Sequence, residues 1–408
     1  MKRLLNIIGV LLLMPLLAFG QQTTKKTNNE AINDSVVVSL LTCTPGELVY
    51  ELYGHTALRV REIGARQSDW VFNYGTFTFH QPHFMWRFML GQTDYELGVV
   101  PYTLFYDAYV REGRGIDEQV LNLTPNEARR LMDALAKNLE PENATYRYNF
   151  FYDNCVTRAL RKVEECVDGK VIWPQVDEHK TLRNIVDEFS ACSPWNKLGQ
   201  DLLLGAEADN PANVTLQSFA PIYAERFAEK AMIVDNNGRQ RHLVSHVVTL
   251  LPAQIGVDMY EKAFPLSPTM AFALLLVFTI ILGAVEWFKK KNYWQYDVLL
   301  LVAQGLTGCI ISFLFFFSAH PAVGSNWLIT MFNPLPLVLF PWYMKAASQH
   351  KRSWVAGVEI VLLILALLVG VTGLQQYPHE VYFMITILII RMFTHFYLLR
   401  GSQKAVIK

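Results

Sequence analysis

The sequence predicts an α+β exported domain followed by an α-helical membrane domain with five spans. Three observations predict this class: an apolar leader at the N-terminus, a central part in which strand patterns precede helix patterns, and long apolar segments after Pro265. The 408 residues include 36 basic and 36 acidic side chains, and the formal net charge is zero. A neutral chain gives no reason to expect a nucleic acid as partner.

The N-terminus has the layout of a secretory signal peptide. A basic pair at positions 2 and 3 precedes the apolar run Leu4–Leu17, which is short for a span, and positions 18–20 offer small residues for cleavage. We therefore expect residues 1–20 to be removed, the alternative being an uncleaved anchor. The polar residues 21–35 are expected to form a disordered linker.

The last third of the chain contains five apolar segments, and a helix needs about 20 such residues to cross a bilayer. The segments are Leu266–Phe288, Val298–Phe317, Trp327–Tyr343, Val355–Leu374 and Val381–Leu399. Three prolines interrupt the third segment, so we expect it to be kinked or broken. Residues 265–408 are thus predicted to form the membrane domain.

The charges of the connecting loops predict the orientation. Lys289–Lys291, Lys345–Arg352 and the tail from Arg400 are basic, whereas His320–Asn326 and Gln375–Glu380 contain no Lys or Arg. By the positive-inside rule the basic loops are cytoplasmic, so the globular part lies outside. The signal peptide independently predicts the same side. We expect a multi-pass protein of the inner (cytoplasmic) membrane with a periplasmic domain at 36–264.

Strand and helix patterns are segregated within this exported part. Residues 55–62 alternate, with His55 and Arg59 on one face and Leu58 and Val60 on the other. A polar loop at 62–69 makes this strand and the next a hairpin. The predicted strands are Val36–Thr42, His55–Glu62 and Trp70–Phe79, and the predicted helices are Thr124–Leu139, Asp153–Cys166 and Leu182–Phe189.

Cys155 is the candidate nucleophile. It follows Asp153 and Asn154, which are both good N-cap residues, so it lies in the first turn of a helix. Unpaired backbone N–H groups and the helix dipole stabilise negative charge there and lower the pKa of a thiol. The same N–H groups can stabilise an oxyanion.

His55 is the best-placed base among the ten histidines. It follows a glycine at the start of a strand, where a side chain can face a helix terminus. A Cys–His pair also needs a third group to orient the imidazole ring. Asn73, on the neighbouring strand, is the candidate for that role, and Tyr74 is the alternative. A lone histidine in a strand is more often structural, and that interpretation stays open at this point.

The cysteines leave a second interpretation open. An exported domain lies in an oxidising compartment, where disulfides form, and Cys43, Cys155, Cys166 and Cys192 allow three full pairings. A bond between Cys166 and Cys192 would leave Cys155 free, whereas Cys43 is a rival partner for it. Cys309 lies within a span and is expected to be a packing residue.

Four sequence blocks together resemble the Bacteroidetes lipoprotein N-acyltransferase family. They are GHT at 54–56, FNYGTF at 72–77, DNCVTR at 153–158 and DLLLGAEAD at 201–209. The resemblance covers the chain from about residue 36 to the C-terminus. It implies a papain-like exported domain, circularly permuted as in relatives of the NlpC/P60 peptidases, followed by a five-helix membrane domain.

The resemblance also implies a reaction. In the permuted order histidine precedes cysteine, so Cys155 matches the nucleophile and His55 the base, whereas Asn73 rests on the sequence alone. An acyl chain would pass from a membrane phospholipid to Cys155 as a thioester, and then to the α-amino group of the N-terminal cysteine of a diacylated lipoprotein. The expected partners are therefore the phospholipid, the lipoprotein and the bilayer, with no cofactor or metal.

Further residues are candidates for contacts with the substrate. Arg59, Arg158 and Asp153 lie near the proposed site in sequence, beside Tyr74, and Arg391 lies inside the fifth span, where a polar group is a functional candidate by default. The alternatives are structural ion pairs for the first two arginines and snorkelling to the cytoplasmic face for Arg391. The aromatic stretch at 77–90 could lie on the membrane, line an acyl groove or belong to the domain core.

Two other functions compete with acyl transfer. A cell-wall amidase or peptidase of NlpC/P60 type would use the same dyad, but it would need a polar groove and only one membrane anchor. A non-enzymatic membrane scaffold would hold Cys155 in a disulfide with Cys43. The reactivity of the Cys155 thiol separates the scaffold from both enzymes.

Overall fold

The computed structural model describes residues 35–399, apart from positions 47, 49, 65–66, 78–82 and 255–264. The predicted signal peptide, the predicted linker up to position 34 and the basic tail from Arg400 lie outside the described residues. So does His80, and part of the aromatic stretch.

A seven-stranded antiparallel sheet forms the centre of the exported domain. Its strand order is β10-β5-β1-β2-β3-β4-β6, and a second, three-stranded sheet has the order β7-β8-β9 once the strands are numbered along the chain. The strands are β1 Ser35–Cys43, β2 His55–Ile63, β3 Ser68–Thr76, β4 Asp94–Pro101, β5 Ile116–Leu121, β6 Thr145–Arg147, β7 Lys170–Ile172, β8 Met232–Val234, β9 Gln240–His242 and β10 Val244–Leu251. The predicted hairpin is β2–β3, and β1 pairs with β2 so that Cys43 lies opposite His55.

Nine helices and one 3₁₀ turn surround the sheets in the described part of this domain. They are α1 Phe84–Met89, α2 Tyr102–Glu112, α3 Pro125–Asn138, α4 Pro141–Ala144, α5 Cys155–Cys166, α6 Leu182–Ser190, α7 Pro194–Leu203, the 3₁₀ turn Ala206–Asp209, α8 Val214–Gln217 and α9 Pro221–Lys230. The three predicted helices correspond to α3, α5 and α6. The α+β class predicted from the sequence is confirmed.

Helices cover both faces of the large sheet because its strands alternate. On one face, Val38 and Leu58 pack against the buried sides of α3 and α5, which contribute Leu131 and Val156. On the other face Leu41, Cys43, Ala57 and Val71 pack against Phe105 and Tyr109 of α2. The site described below lies where the first residue of β2 meets the start of α5.

Five long apolar segments form the membrane domain, as predicted. Its elements are α10 Pro268–Lys289, α11 Trp294–Phe317, α12 Pro321–Gly324, a 3₁₀ turn Trp327–Thr330, α13 Leu335–Ser348, α14 Trp354–Thr372 and α15 His379–Leu398. The third span is broken into α12, the 3₁₀ turn and α13, which confirms the effect expected of its prolines.

A fully buried cluster of charged and polar side chains joins four of these helices. The guanidinium of Arg391 on α15 contacts Glu286 on α10 at 2.5 Å and Asp297 on α11 at 2.5 Å. Tyr343 on α13 donates a hydrogen bond of 2.6 Å to Asp297. We call these four residues the membrane charge cluster. It places Arg391 between two carboxylates, near the ends of α10 and α15 that the basic segments follow, and its predicted contact with a lipid phosphate stays a prediction.

The exported domain is hydrogen-bonded to the outer loops of the membrane domain. The backbone N–H of Gly205 donates to Ala322 at 2.6 Å, and the side chain of Gln375 donates to Leu204 at 3.0 Å. Asn326 donates to Leu202 at 2.7 Å. These contacts use the two loops that contain no Lys or Arg, so the exported domain sits on the side that the charge distribution predicts to be outside.

A second contact involves α1. The backbone N–H of Ala319 donates to Leu90 at 2.9 Å, and the Trp86 ring packs edge-on against Phe313 of α11 with centroids 5.6 Å apart. More than half of the Trp86 surface is exposed. An exposed tryptophan beside the outer end of a span is typical of the membrane interface.

Candidate active site

The first turn of α5 is fixed by an N-terminal capping box. The Asn154 side chain accepts hydrogen bonds from the backbone N–H groups of Val156 at 2.9 Å and Thr157 at 3.0 Å, and the Thr157 hydroxyl accepts one from the Asn154 backbone. The amide of Asn154 also donates to Phe150 and Phe219. Cys155 is therefore the first residue of a helix whose start is held from both sides.

His55 begins β2 because the preceding glycine turns the chain. Gly54 has a φ of +83°, and a Cβ there would lie 2.4 Å from the Cys43 carbonyl oxygen. Only glycine fits such a position. The turn places the half-buried imidazole at the first position of the interior strand β2. There its Nε2 lies 3.2 Å from Oδ1 of Asn73 on β3. The other ring nitrogen, Nδ1, does not take part in this bond, and the ring also interacts favourably with the Cys155 thiol.

A bulge in β3 opens space beside the sulfur. The β3–β4 register shifts between Asn73 and Thr76, and Gly75 within it has a φ of +91°. A Cβ at Gly75 would lie 3.8 Å from Cβ of Cys155 and 3.9 Å from the Tyr146 hydroxyl oxygen. The missing side chain thus leaves room in which an acyl carbonyl can approach the thiol.

The surroundings favour an ion pair between Cys155 and His55. Burial alone would raise the pKa of the Cys155 thiol, but the His55 charge and hydrogen bond, with the backbone N–H groups of Thr56 and Val156, lower it below its ordinary value. Burial alone would lower the pKa of His55, whereas the Cys155 thiolate and the hydrogen bonds of the ring to Cys155 and Asn73 raise it above 6.5. Both directions stabilise a thiolate–imidazolium pair.

All five cysteines are free thiols in the structure. Cys43, the proposed rival partner of Cys155, is fully buried opposite His55 on β1 and packs beside Tyr109. Burial raises the pKa of Cys43 to about 12, so this thiol stays protonated. The surroundings therefore raise the pKa of Cys43 and lower the pKa of Cys155.

Arg59, one of the predicted substrate contacts, is engaged in structural interactions. It forms ion pairs with Asp69 at 2.6 Å and Glu118 at 3.3 Å, and it stacks over the Tyr102 ring. It lies four residues from His55, on the same face of β2. A role in binding substrate stays a prediction.

Arg158 and Asp153 form a bidentate ion pair across the first turn of α5, with distances of 2.8 Å and 2.7 Å. The guanidinium lies 3.6 Å above the Tyr146 ring. Arg158 also lines a cleft of about 380 Å³ between α3 and α5, as does Tyr74, whose hydroxyl donates to Asn138. The structure therefore brings Arg158, Asp153 and Tyr74 next to the site, and their role as substrate contacts stays a prediction.

Three neighbours of Cys155 were not singled out from the sequence: the Thr56 backbone, Tyr146 and Tyr148. The ring of Tyr148 stacks on Tyr95 with centroids 4.2 Å apart and lies next to Gly75. The only local signal was the run of aromatic residues directly before Asp153. Within the described residues, no three His, Cys, Asp or Glu side chains converge as a metal site would require.

Two family models match the chain. Residues 23–188 match the Lnb N-terminal periplasmic domain, and residues 260–403 match the Lnb transmembrane domain. The two matches follow one another in the order of the two domains and together cover most of the chain. The chain belongs to the Lnb family. A search of the curated proteins and a search of the solved structures each returned no match.

The Lnb assignment confirms the resemblance described from the sequence. It makes the chain a multi-pass membrane protein with a periplasmic domain, in a family of lipoprotein-processing membrane proteins. Cys155, His55 and Asn73 all lie within the match to the Lnb periplasmic domain. The segment at 202–209, which docks on the outer loops, lies between the two matched regions.

Proposed function

We propose that this Lnb-family protein is an N-acyltransferase that moves an acyl chain from a membrane phospholipid to the α-amino group of a diacylated lipoprotein. On this proposal residues 36–264 form the periplasmic catalytic domain and residues 265–408 the inner-membrane domain. The single observation that carries it is the Cys155–His55–Asn73 arrangement at the start of α5.

The first half-reaction forms a thioester. The Cys155 thiolate attacks the ester carbonyl of the phospholipid, a sulfur–carbon bond forms, and the carbonyl electron pair moves to the oxygen. When this intermediate collapses, the carbon–oxygen ester bond breaks and the imidazolium of His55 gives its proton to the departing alcohol. A lysophospholipid leaves, and the acyl chain stays on Cys155.

The second half-reaction forms the amide. The α-amino group of the lipoprotein attacks the thioester carbonyl, and the now neutral His55 takes a proton from the amine. The carbon–sulfur bond breaks, and the thiolate–imidazolium pair is restored. Asn73 holds the ring through Nε2 in both steps, so the same nitrogen faces the reacting atoms throughout.

The position of the site above the membrane favours lipid substrates. Tyr53, which precedes the catalytic histidine, and Phe151, which precedes the cysteine, pack in one apolar cluster with Leu204 and with Ala322 of an outer loop. The segments that lead into β2 and α5 therefore pack close to the outer side of the membrane domain. An amidase acting on cell-wall peptides would have no need of this placement.

The test is to trap the acyl-enzyme. We expect purified full-length protein, incubated with phosphatidylethanolamine vesicles, to gain one acyl mass that is released by neutral hydroxylamine and maps to Cys155. A synthetic diacylated lipopeptide should discharge it as a triacylated product. Cys155→Ala should abolish both, and Cys192→Ala, which removes a half-buried thiol elsewhere in the domain, should retain both.

Two outcomes would contradict the proposal. Retained N-acylation in the Cys155→Ala protein would exclude the thioester route. Altered cell-wall peptides with normal lipoproteins in a deletion strain would favour the amidase. The scaffold alternative predicts a Cys155 that no thiol reagent labels in the native protein.

A further inference from the structure

Tyr146 has a buried hydroxyl that lacks a hydrogen-bond partner among the described residues. Its side chain is only 6% exposed, and the hydroxyl oxygen is buried with no donor or acceptor in contact. Leaving a buried polar group unpaired costs about 1–3 kcal/mol. A phenylalanine would fill the same space without this cost, so the ring packing does not explain the hydroxyl.

The ring of Tyr146 is held on three sides. Its backbone lies in β6 opposite Tyr95 of β4, and its ring meets Tyr74 edge-on. The guanidinium of Arg158 lies 3.6 Å above the ring and is itself fixed by its bidentate pair with Asp153. The unpartnered hydroxyl therefore has a defined position.

That position is beside the nucleophile. The point where a Cβ of Gly75 would stand lies 3.8 Å from Cβ of Cys155 and 3.9 Å from the Tyr146 oxygen. The space left by the glycine is thus bordered by Cβ of Cys155 on one side and by an available O–H donor on the other. The carbonyl carbon of an acyl group attached to Cys155 would be two bonds from that Cβ, and so within reach of this space.

The neighbouring backbone N–H groups stabilise negative charge on the Cys155 sulfur. The backbone N–H groups of Thr56 and Val156 help to lower the pKa of Cys155 and so stabilise its thiolate, although the Val156 N–H also donates to Asn154. When the thiolate attacks a carbonyl, the negative charge moves from the sulfur to the carbonyl oxygen, and a donor is then needed at that oxygen. Burial, followed by the charge of Cys155, raises the pKa of Tyr146 well above its ordinary value, so the phenol keeps its proton.

We propose that Tyr146 is a catalytic residue whose hydroxyl donates a hydrogen bond to the oxyanion formed on the acyl carbonyl beside Cys155. This inference rests on the proposed acyl transfer. The oxyanion forms twice, when the thiolate attacks the phospholipid ester and when the amine attacks the thioester, and it occupies the same place both times. The hydroxyl keeps its proton throughout, so it acts as a donor and not as an acid.

The test is Tyr146→Phe in the full-length protein. This change removes only the hydroxyl and keeps the ring and its contact with Arg158. Acyl-enzyme formation from phosphatidylethanolamine and discharge to the lipopeptide should each slow by about 100- to 1,000-fold, as expected for the loss of one oxyanion donor. The loss should appear in kcat, with KM little changed. Alkylation of Cys155 by iodoacetamide, which needs the thiolate but no oxyanion, should stay at the wild-type rate.

Tyr223→Phe is the matched control. It removes the hydroxyl of another buried tyrosine, one that donates to Glu188 in the second apolar cluster, and activity should stay within about threefold. The inference is overturned if Tyr146→Phe is also within threefold of wild type, or if it loses iodoacetamide labelling together with activity. If the wild-type protein forms no thioester, the proposed function fails instead, which is a different result.

Discussion

Two ionic sites in this molecule differ in how completely their side chains are buried and paired. In the membrane charge cluster, Arg391 is surrounded by Glu286 and Asp297, every side chain is fully buried, and Tyr343 adds a hydrogen bond. In the thiol site, Cys155 and His55 are only half-buried.

The difference separates a structural ion network from a reactive one. The membrane charge cluster ties α10, α11, α13 and α15 together with charges that satisfy each other, which is what a buried pair needs in order to be tolerated. The thiol site leaves open space at Gly75 and an unpaired hydroxyl at Tyr146. Such incomplete pairing costs stability and is expected where a substrate supplies the missing partner.

His55→Ala gives the largest expected effect. Without the base the thiolate is neither formed nor assisted, and acyl transfer should fall by about 10⁴-fold or more, as for the removal of a member of a catalytic unit. The melting temperature should change little because the ring is half-buried. Acyl transfer is measured with the lipopeptide assay, and His242→Ala, on the short strand β9, is the control. A loss of less than tenfold would contradict the assignment of the base.

Arg391→Ala should act on stability instead. It leaves two carboxylates buried without a counter-charge, and breaking a buried pair in this way costs about 3–5 kcal/mol. Thermal unfolding in detergent micelles measures the loss. Adding Glu286→Gln and Asp297→Asn to the same protein should restore part of it. If the Arg391→Ala protein is as stable as wild type but inactive, the result favours the predicted lipid contact over a structural role for Arg391.

Asn73→Ala should give a smaller loss of activity. A hydrogen bond to a charged group contributes about 1.5–3 kcal/mol, so removing the bond to the imidazolium should lower kcat by roughly 10- to 100-fold. The pH at which the alkaline limb of activity falls should move down, because the hydrogen bond that the ring donates to Asn73 helps to raise the pKa of His55. An unchanged kcat and pH profile would remove Asn73 from the site.

The pH dependence of labelling sharpens the comparison between Cys155 and Cys43. The pKa of Cys155 is lowered, so its thiolate persists as the pH falls below the range of ordinary thiols, and alkylation stops only when the pH passes the lowered value. The pKa of Cys43 is raised to about 12, so this thiol stays unlabelled up to strongly alkaline pH. Mass spectrometry of peptides after iodoacetamide treatment between pH 5 and 9 measures the labelling of both cysteines. This pH range includes the ordinary thiol pKa of about 8.5. Equal labelling of the two would contradict the ion pair.

The same directions set the window for catalysis. Activity should fall on the acid side as Cys155 is protonated and on the alkaline side as His55 loses its proton, above 6.5 because its pKa is raised. The result is a bell-shaped profile of kcat/KM, measured with the lipopeptide assay. A profile that rises steadily to pH 9 would indicate a Cys155 thiol of ordinary pKa, without the ion pair to His55.

The parts of the site that depend on local signals could be predicted from the sequence. Asn154 directly before Cys155 predicts the helix start, Gly54 predicts the turn before His55, and period-two alternation places Asn73 within a neighbouring strand. The broken third span followed from its prolines in the same way. Each signal lies within a few residues of the feature that it predicts.

The parts that depend on long-range pairing could not be predicted. Tyr146 reaches the site because β6, only three residues long, joins the sheet at β4, some fifty positions earlier in the chain. Arg391 meets carboxylates about a hundred positions away on two other helices. No periodicity in a single sequence encodes these partners, because they are set by the order of strands and the packing of spans.

The hydrogen bonds from Gly205 and Gln375 to the opposite domain have a mechanical consequence. They hold the periplasmic domain against the outer loops of the membrane domain. We expect the height of the reactive atom over the bilayer to be constant during turnover. The phospholipid and the lipoprotein must therefore each move out of the membrane to reach a sulfur atom that stays at a fixed height.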